Sequence, residues 1–263
     1  MTREENLSQF FGDDGNTVIL PIDHGTAIPV PGMPDPVGLI EIMNPFVDGY
    51  VVNLGVGLAA MDQLSEKGVC FRTDVYKPPR AGQLDQGTYR IYGADEAEIV
   101  GANAMMNMLY HHHDGESDNF REVGELISEG FDSDIPVILE ALPFGIGRPD
   151  DYTCENIAFV SRAAAEIGAD VVKTAYPTDA TVDEFREVIE GIFVPVIVLG
   201  GAAMGDDEGL LTMVKNSIDA GANGIAVGRN VWQHPNPPGI GKALMAIVHE
   251  GAGVDSALKL VSA

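Results

Sequence analysis

Few lysines occur in this chain, and one of them stands where charge is hardest to solvate: Lys173, in "ADVVKTAYP" (169–177), between valines and a threonine. An ammonium ion in such a run is costly to keep ionised, whereas a neutral amine adds to a carbonyl carbon and forms a Schiff base. The same position suits a structural ion pair with a carboxylate such as Asp23 or Glu140, and the residue alone does not choose between the two. Lys67, Lys77, Lys215, Lys242 and Lys259 sit instead in loops or on polar helix faces. Asp23 closes an apolar run and offers a general base or proton relay, or else a partner for Lys173 or His24. Glu140 and Tyr176 are further proton-transfer candidates. Gly200-Gly201 and Gly228-Arg229 each follow an apolar run and precede a helical start. Backbone amides at such turns, with one arginine, make an anion site, although glycines also serve simply to permit tight turns. Asp206 and Asp207 oppose an anion there unless they point outward and cap the next helix. A triple histidine, His111-His112-His113, invites a metal reading, but a polar loop run is the plainer one, so no metal is expected.

These residues need a frame that gathers them. Strand-like apolar runs occur at 17–23, 50–54, 69–75, 104–110, 136–142, 170–175, 195–199 and 224–227. Between several of them lie segments of helical period. In 156–167 the spacing is carried by Ile157, Val160, Ala164 and Ile167, and in 208–220 by Leu211, Val214 and Ile218, with Gly221 as C-cap. Such a βα rhythm over a chain of this length predicts an α/β fold, a single (β/α)8 TIM barrel over residues 1–263, with an irregular, insertion-like stretch at about 77–92. A doubly wound sheet would want a glycine-rich phosphate loop after its first strand, and "PIDHGTAIPVPG" is not one. In a barrel the active site lies at the C-terminal ends of the strands. Asp23, His24, His111, Glu140, Lys173, Tyr176, Gly200, Gly201, Gly228 and Arg229 all fall at or near such ends, and the loops after the last two strands are where barrels often hold a substrate phosphate.

The chain of 263 residues has 40 acidic against 15 basic residues, a formal net charge of −25, and 45% hydrophobic residues. This charge argues against nucleic-acid and anionic-membrane partners. No apolar run approaches the roughly 20 residues of a membrane helix, and "MTREE" is not the start of a signal peptide. Cys70 and Cys154 match no metal or redox spacing and read as reduced residues of a cytoplasmic protein. A dispersed acidic surface suits near-molar salt, where the Debye length is about 3 Å, so a salt-requiring protein of halophilic origin is expected.

Together "VILPIDHG", "EIGADVVKTAYP", "VPVIVLGG" and "GANGIAVGRNVWQ", in this order, resemble the archaeal-type class I fructose-bisphosphate aldolases, the DhnA or DeoC/LacD-like group. The likeness covers most of the chain and is strongest from about residue 163 to 233. It implies that Lys173 forms the Schiff base, that Asp23 assists proton transfer, and that Gly200, Gly201, Gly228 and Arg229 bind a substrate phosphate. No cofactor is implied, and relatives often assemble as homo-oligomers. The activity implied is cleavage or formation of a C–C bond in a phosphorylated ketose, with fructose 1,6-bisphosphate the leading substrate. A 2-amino-3,7-dideoxy-D-threo-hept-6-ulosonate synthase-type transaldolase and an autoinducer-type phosphate thiolase are the alternatives. A sugar-phosphate binder without activity is the alternative from another class, and a metal enzyme using the histidine run is a third. Two departures stand out. Leu142 occupies the place of the tyrosine proton donor at the end of the fifth strand, and Ala202-Ala203-Met204 follow the glycine pair where a lysine is usual. Glu140, His24, His111 and Tyr176 are the groups expected to stand in for the donor.

Overall fold

A computed structural model of the chain describes residues 1–76, 88–111, 115–143 and 151–262. Eight parallel strands close into a barrel: β1 (Thr17–Pro21), β2 (Gly49–Val52), β3 (Gly68–Arg72), β6 (Ala104–His111), β7 (Val137–Pro143), β8 (Val171–Thr174), β9 (Val196–Leu199) and β10 (Gly224–Ala226), with β1 joining β10 to complete the ring. Two short strands, β4 (Asp74–Tyr76) and β5 (Thr88–Arg90), pair antiparallel beside it. The helices between strands supply the outer layer, so the fold is the (β/α)8 TIM barrel that the βα rhythm predicts.

Local chemistry sets most element ends. Thr153 caps the helix Cys154–Ile167 by accepting from the Asn156 amide at 3.2 Å, and Gly168 ends it with φ +116°. Thr181 and Glu184 form a reciprocal capping box on Val182–Glu190. Gly221, the C-cap expected after 208–220, has φ +104°, a conformation that side chains with a Cβ avoid. One expected strand is corrected. The run 69–75 is not a single strand but breaks at Thr73, whose amide and hydroxyl both bond the Met106 carbonyl, at 2.9 and 3.0 Å. Beyond it, β4 leaves the ring to pair with β5. Of the irregular stretch 77–92, residues 77–87 lie outside the described ones, and the remainder carries β5.

Two apolar layers sandwich the sheet. The inner one consists of inward-facing side chains, among them Ile19, Val51, Cys70, Met106, Ile138 and Val171, closed at the N-terminal end by Phe10. Gly68 is required there, since a Cβ would lie 2.6 Å from the Phe10 ring. The outer layer joins strands to helices through residues such as Leu139, Val160, Val198 and Leu211. Among the described residues no helix is long and apolar enough to cross a membrane.

Across the closed N-terminal end, His249 of the helix Pro237–Glu250 sets Nε2 2.9 Å from Asp48 Oδ2 and Nδ1 3.0 Å from Asp14 Oδ2. Asp48 also accepts the Val18 amide at 2.6 Å, which ties this helix to the start of β1. The hydrogen bond to Asp48 raises the His249 pKa; burial opposes the rise, and the two carboxylate charges add to it. A raised folded-state pKa stabilises fully below the unfolded value near 6.5, and that stabilisation fades as pH climbs through the folded value. His249→Gln is therefore expected to lower the melting temperature by a few degrees at pH 5.5, with the gap to the parent protein narrowing by pH 8.5 in paired thermal scans.

Candidate active site

The two-residue period of a strand decides what stands above the inner core. Cys70, Ile138 and Val171 belong to that core, so Arg72, Glu140 and Lys173, each two residues further on, point inward one layer higher. Parallel register sets Glu140 of β7 directly beside Lys173 of β8. These three are 6%, 6% and 5% exposed, at the floor of a cavity of about 670 Å³ opening at the C-terminal ends of the strands.

Glu140 bridges two cations. Its Oε1 lies 3.0 Å from Lys173 Nζ and its Oε2 accepts from Arg72 Nη1 at 2.5 Å. Burial by itself would raise the Glu140 pKa, but the Lys173 and Arg72 charges and hydrogen bonds outweigh it and hold the carboxyl at about 2. Arg72 is anchored from its other side by Asp74, with Nε 2.5 Å from Oδ1, and its Nη1 lies 3.6 Å from Asp23 Oδ2. Asp74 in turn accepts the Met108 amide at 3.2 Å. Its own pKa is raised by burial, against the pull of Arg72. His24 Nδ1 is 3.4 Å from Asp23 Oδ1. Burial lowers the His24 pKa despite the neighbouring Asp23 charge, and Lys173 and Arg229 lower it further, so the imidazole is neutral at pH 7.

Past the ends of β9 and β10, which stand between β8 and β1 in the ring, lie Gly200, Gly201, Gly228 and Arg229, which all line the cavity. Close packing accounts for part of the glycine usage. A Cβ at Gly200 would come 2.7 Å from Val227 Cγ1, and one at Gly228 would come 2.7 Å from the Pro21 carbonyl. Gly201 has φ +64°. Asp207 does not oppose an anion here: its carboxylate pairs with His234, Oδ1 to Nε2 at 3.2 Å, and neither Asp206 nor Asp207 lines the cavity.

Lys173, Asp23, His24, Glu140, Gly200, Gly201, Gly228 and Arg229, all singled out by sequence, therefore meet around one cavity. Tyr176 is not brought to the cavity lining with them. Past the end of β8 its chain turns outward, its hydroxyl donates to the Ala180 carbonyl at 3.1 Å, and its ring packs edge-on against Phe185 at 4.8 Å. His111 is buried at the end of β6, with Nδ1 3.1 Å from Glu116 Oε1 and its ring against Phe120 and Phe159, away from the cavity lining. His112 and His113 lie outside the described residues. Among the described residues no group of three His, Cys, Asp or Glu side chains is placed to hold a metal ion. Leu142 lines the cavity, as do Tyr76 and Tyr152. Arg72 and Asp74 escaped the reading by sequence. The signal present was an Arg-x-Asp pair at the end of a buried run, two charges that an apolar strand does not carry without partners.

Fold and site together define a (β/α)8-barrel lyase. The chain belongs to the DeoC/LacD family aldolases, whose family model matches residues 17–234. It is 30% identical over 253 residues to a class 1 fructose-bisphosphate aldolase of Halobacterium salinarum, covering 93% of this chain and 95% of that protein. It is 28% identical over 247 residues to a 2-amino-3,7-dideoxy-D-threo-hept-6-ulosonate synthase of the same organism, covering 93% and 91%. Among solved structures it is similar to an archaeal fructose-1,6-bisphosphate aldolase whose catalytic lysine is covalently bound to the carbinolamine intermediate of its substrate. There the TM-score is 0.84 and the identity 25%, over 94% of this chain and 99% of that one.

Proposed function

We propose that this protein is a Schiff-base class I aldolase acting on a phosphorylated ketose, with Lys173 as the nucleophile. The leading reaction is cleavage of fructose 1,6-bisphosphate to glycerone phosphate and glyceraldehyde 3-phosphate. The observation that carries this reading is the placement of Lys173, paired with Glu140 at 3.0 Å, on the floor of a cavity rimmed by Gly200, Gly201, Gly228 and Arg229.

The chemistry runs from these groups. Glu140, ionised in the resting site, is a proton acceptor in contact with Nζ. The freed amine attacks the substrate carbonyl, whose oxygen takes up a proton and departs as water to leave an iminium ion. That cation receives the electron pair of the breaking C–C bond, while a base withdraws the proton from the hydroxyl on the leaving carbon. Asp23, within 3.4 Å of the neutral His24, is the base on that side of the cavity. The resulting enamine is protonated on carbon and water releases the second product. Backbone amides at the glycine turns and the Arg229 guanidinium hold the phosphate, which fixes the carbonyl against Lys173.

Leu142 favours one second reading. An alkyl side chain on the cavity wall moves no proton, which suits a thiolase-type reaction on an autoinducer-type phosphate. Borohydride trapping separates these readings. The protein is incubated with fructose 1,6-bisphosphate, other ketose phosphates and a phosphorylated β-diketone, and the mass gain at Lys173 is measured with aldehyde release. Adduct and aldehyde with a ketose phosphate support the aldolase. Adduct with the diketone alone supports the thiolase-type reading, and binding without adduct supports the inactive binder.

The acidic composition supports adaptation to high salt. Raising KCl from 0.1 to 2 M is expected to raise the melting temperature by 10 °C or more, on the order of what screening several unfavourable carboxylate contacts gives at a few degrees per kcal/mol. A melting temperature that is flat or falling with salt would refute that origin.

A further inference from the structure

Asn230 follows Arg229 in the turn Arg229–Trp232 and is 8% exposed. Its side chain spans to the neighbouring βα unit and makes three hydrogen bonds to the glycine loop. Nδ2 donates to the Gly200 carbonyl at 2.9 Å and to the Ala202 carbonyl at 3.1 Å, and Oδ1 accepts the Met204 amide at 2.7 Å. Against these, among the described residues the loop has one backbone bond back to the barrel, Gly200 N–H to the Ala226 carbonyl at 3.3 Å.

The direction of these bonds has a geometric consequence. Among the described residues every peptide bond is trans, and in a trans peptide the carbonyl and the following N–H point to opposite sides. With the Gly200 and Ala202 carbonyls turned to Asn230, the amides of Gly201 and Ala203 are turned away from it. Neither amide donates to an acceptor among the described residues, and Gly201 lines the cavity. A loop with φ +64° at both Gly201 and Gly205 and exposed side chains through 201–206 has little packing to hold this orientation.

We propose that Asn230 is the positioning residue of the anion site: it fixes the glycine loop so that the free Gly201 amide faces the cavity, and it places that amide in one rigid unit with Arg229. It touches no substrate itself. The inference rests on the phosphate-binding reading above and deepens it, because recognition then comes from a loop whose amide orientation is set by the next βα unit. His234, four residues on, adds a second strap through Asp207 at 3.2 Å.

The test is the concentration dependence of borohydride trapping, measured with glycerone phosphate and with glycerone, in the parent protein and in Asn230→Ala. Trapping reports carbonyl capture, so the ratio of half-saturating concentrations isolates the contribution of the phosphate. One or two misdirected hydrogen bonds to an anion correspond to a loss of about 10- to 100-fold in that ratio. Asn230→Leu serves as a second variant in case the alanine protein folds poorly. It keeps nearly the side chain's size and adds no charge beside the anion, but loses both donors and the acceptor for Met204. A fall of the preference in either variant, with maximal trapping retained, supports the role. An unchanged ratio, or an equal loss with both ligands, overturns it and leaves Asn230 a structural residue. A parent protein that captures glycerone as readily as glycerone phosphate overturns the phosphate reading itself.

Discussion

Lys173→Met abolishes adduct formation and lowers turnover by about 10⁴-fold or more, since no other group supplies the electron sink once the amine is gone. Methionine fills nearly the same volume, and Glu140 keeps its 2.5 Å contact with Arg72, so no carboxylate is left without a cation. The melting temperature is accordingly expected to stay within a few degrees of the parent's, which separates a chemical loss from misfolding. Mass spectrometry after borohydride reduction with a ketose phosphate reads the first quantity and a thermal scan the second. An adduct persisting in Lys173→Met would move the nucleophile elsewhere and sink the assignment.

Glu140→Gln is expected to be damaging on both counts. It removes the proton acceptor in contact with Nζ, at a cost of about 10²- to 10⁴-fold in turnover. It also leaves Lys173 and Arg72 side by side with one carboxylate fewer, and breaking a buried pair by removing one partner costs about 3–5 kcal/mol. The pH dependence has a definite sign. The Glu140 carboxyl is held at about 2 in the folded protein, below its unfolded value, so its stabilisation is present above the unfolded carboxylate range and lost as pH falls towards 2. The stability difference between parent and variant is therefore largest near neutral pH and shrinks in acid. Chemical denaturation at pH 7 and pH 3 measures it. A gap that widened in acid would mean that Glu140 is not the ionised partner of Lys173.

Much of this architecture is written in short-range pattern. The βα rhythm, the helical spacing of Ile157, Val160, Ala164 and Ile167, and the glycine stops at Gly168 and Gly221 are local signals, and the elements lie within a residue or two of where those signals put them. The failures are equally local in origin. The run 69–75 has continuous strand character, and nothing in it announces that Thr73 bonds back to Met106 and turns the following residues out of the ring. Tyr176 follows Lys173 by three residues and is close to it in sequence. Its hydroxyl is nevertheless claimed by Ala180, because the chain has already left the strand.

Residue type and order were enough to single out Lys173, Asp23, Glu140 and the two glycine turns as candidates, because buried charge and repeated glycine at strand ends are costly without a use or a partner. They could not say which partner. Arg72 meets Glu140 from 68 residues away and Asn230 reaches Gly200 from 30, contacts that exist because the sheet closes and the inward parity of separate strands coincides. Hydrophobic period acts along the chain over a few residues and leaves its mark there. Ion pairing and loop orientation act across the ring, over distances set by barrel register, and so they belong to the fold as a whole.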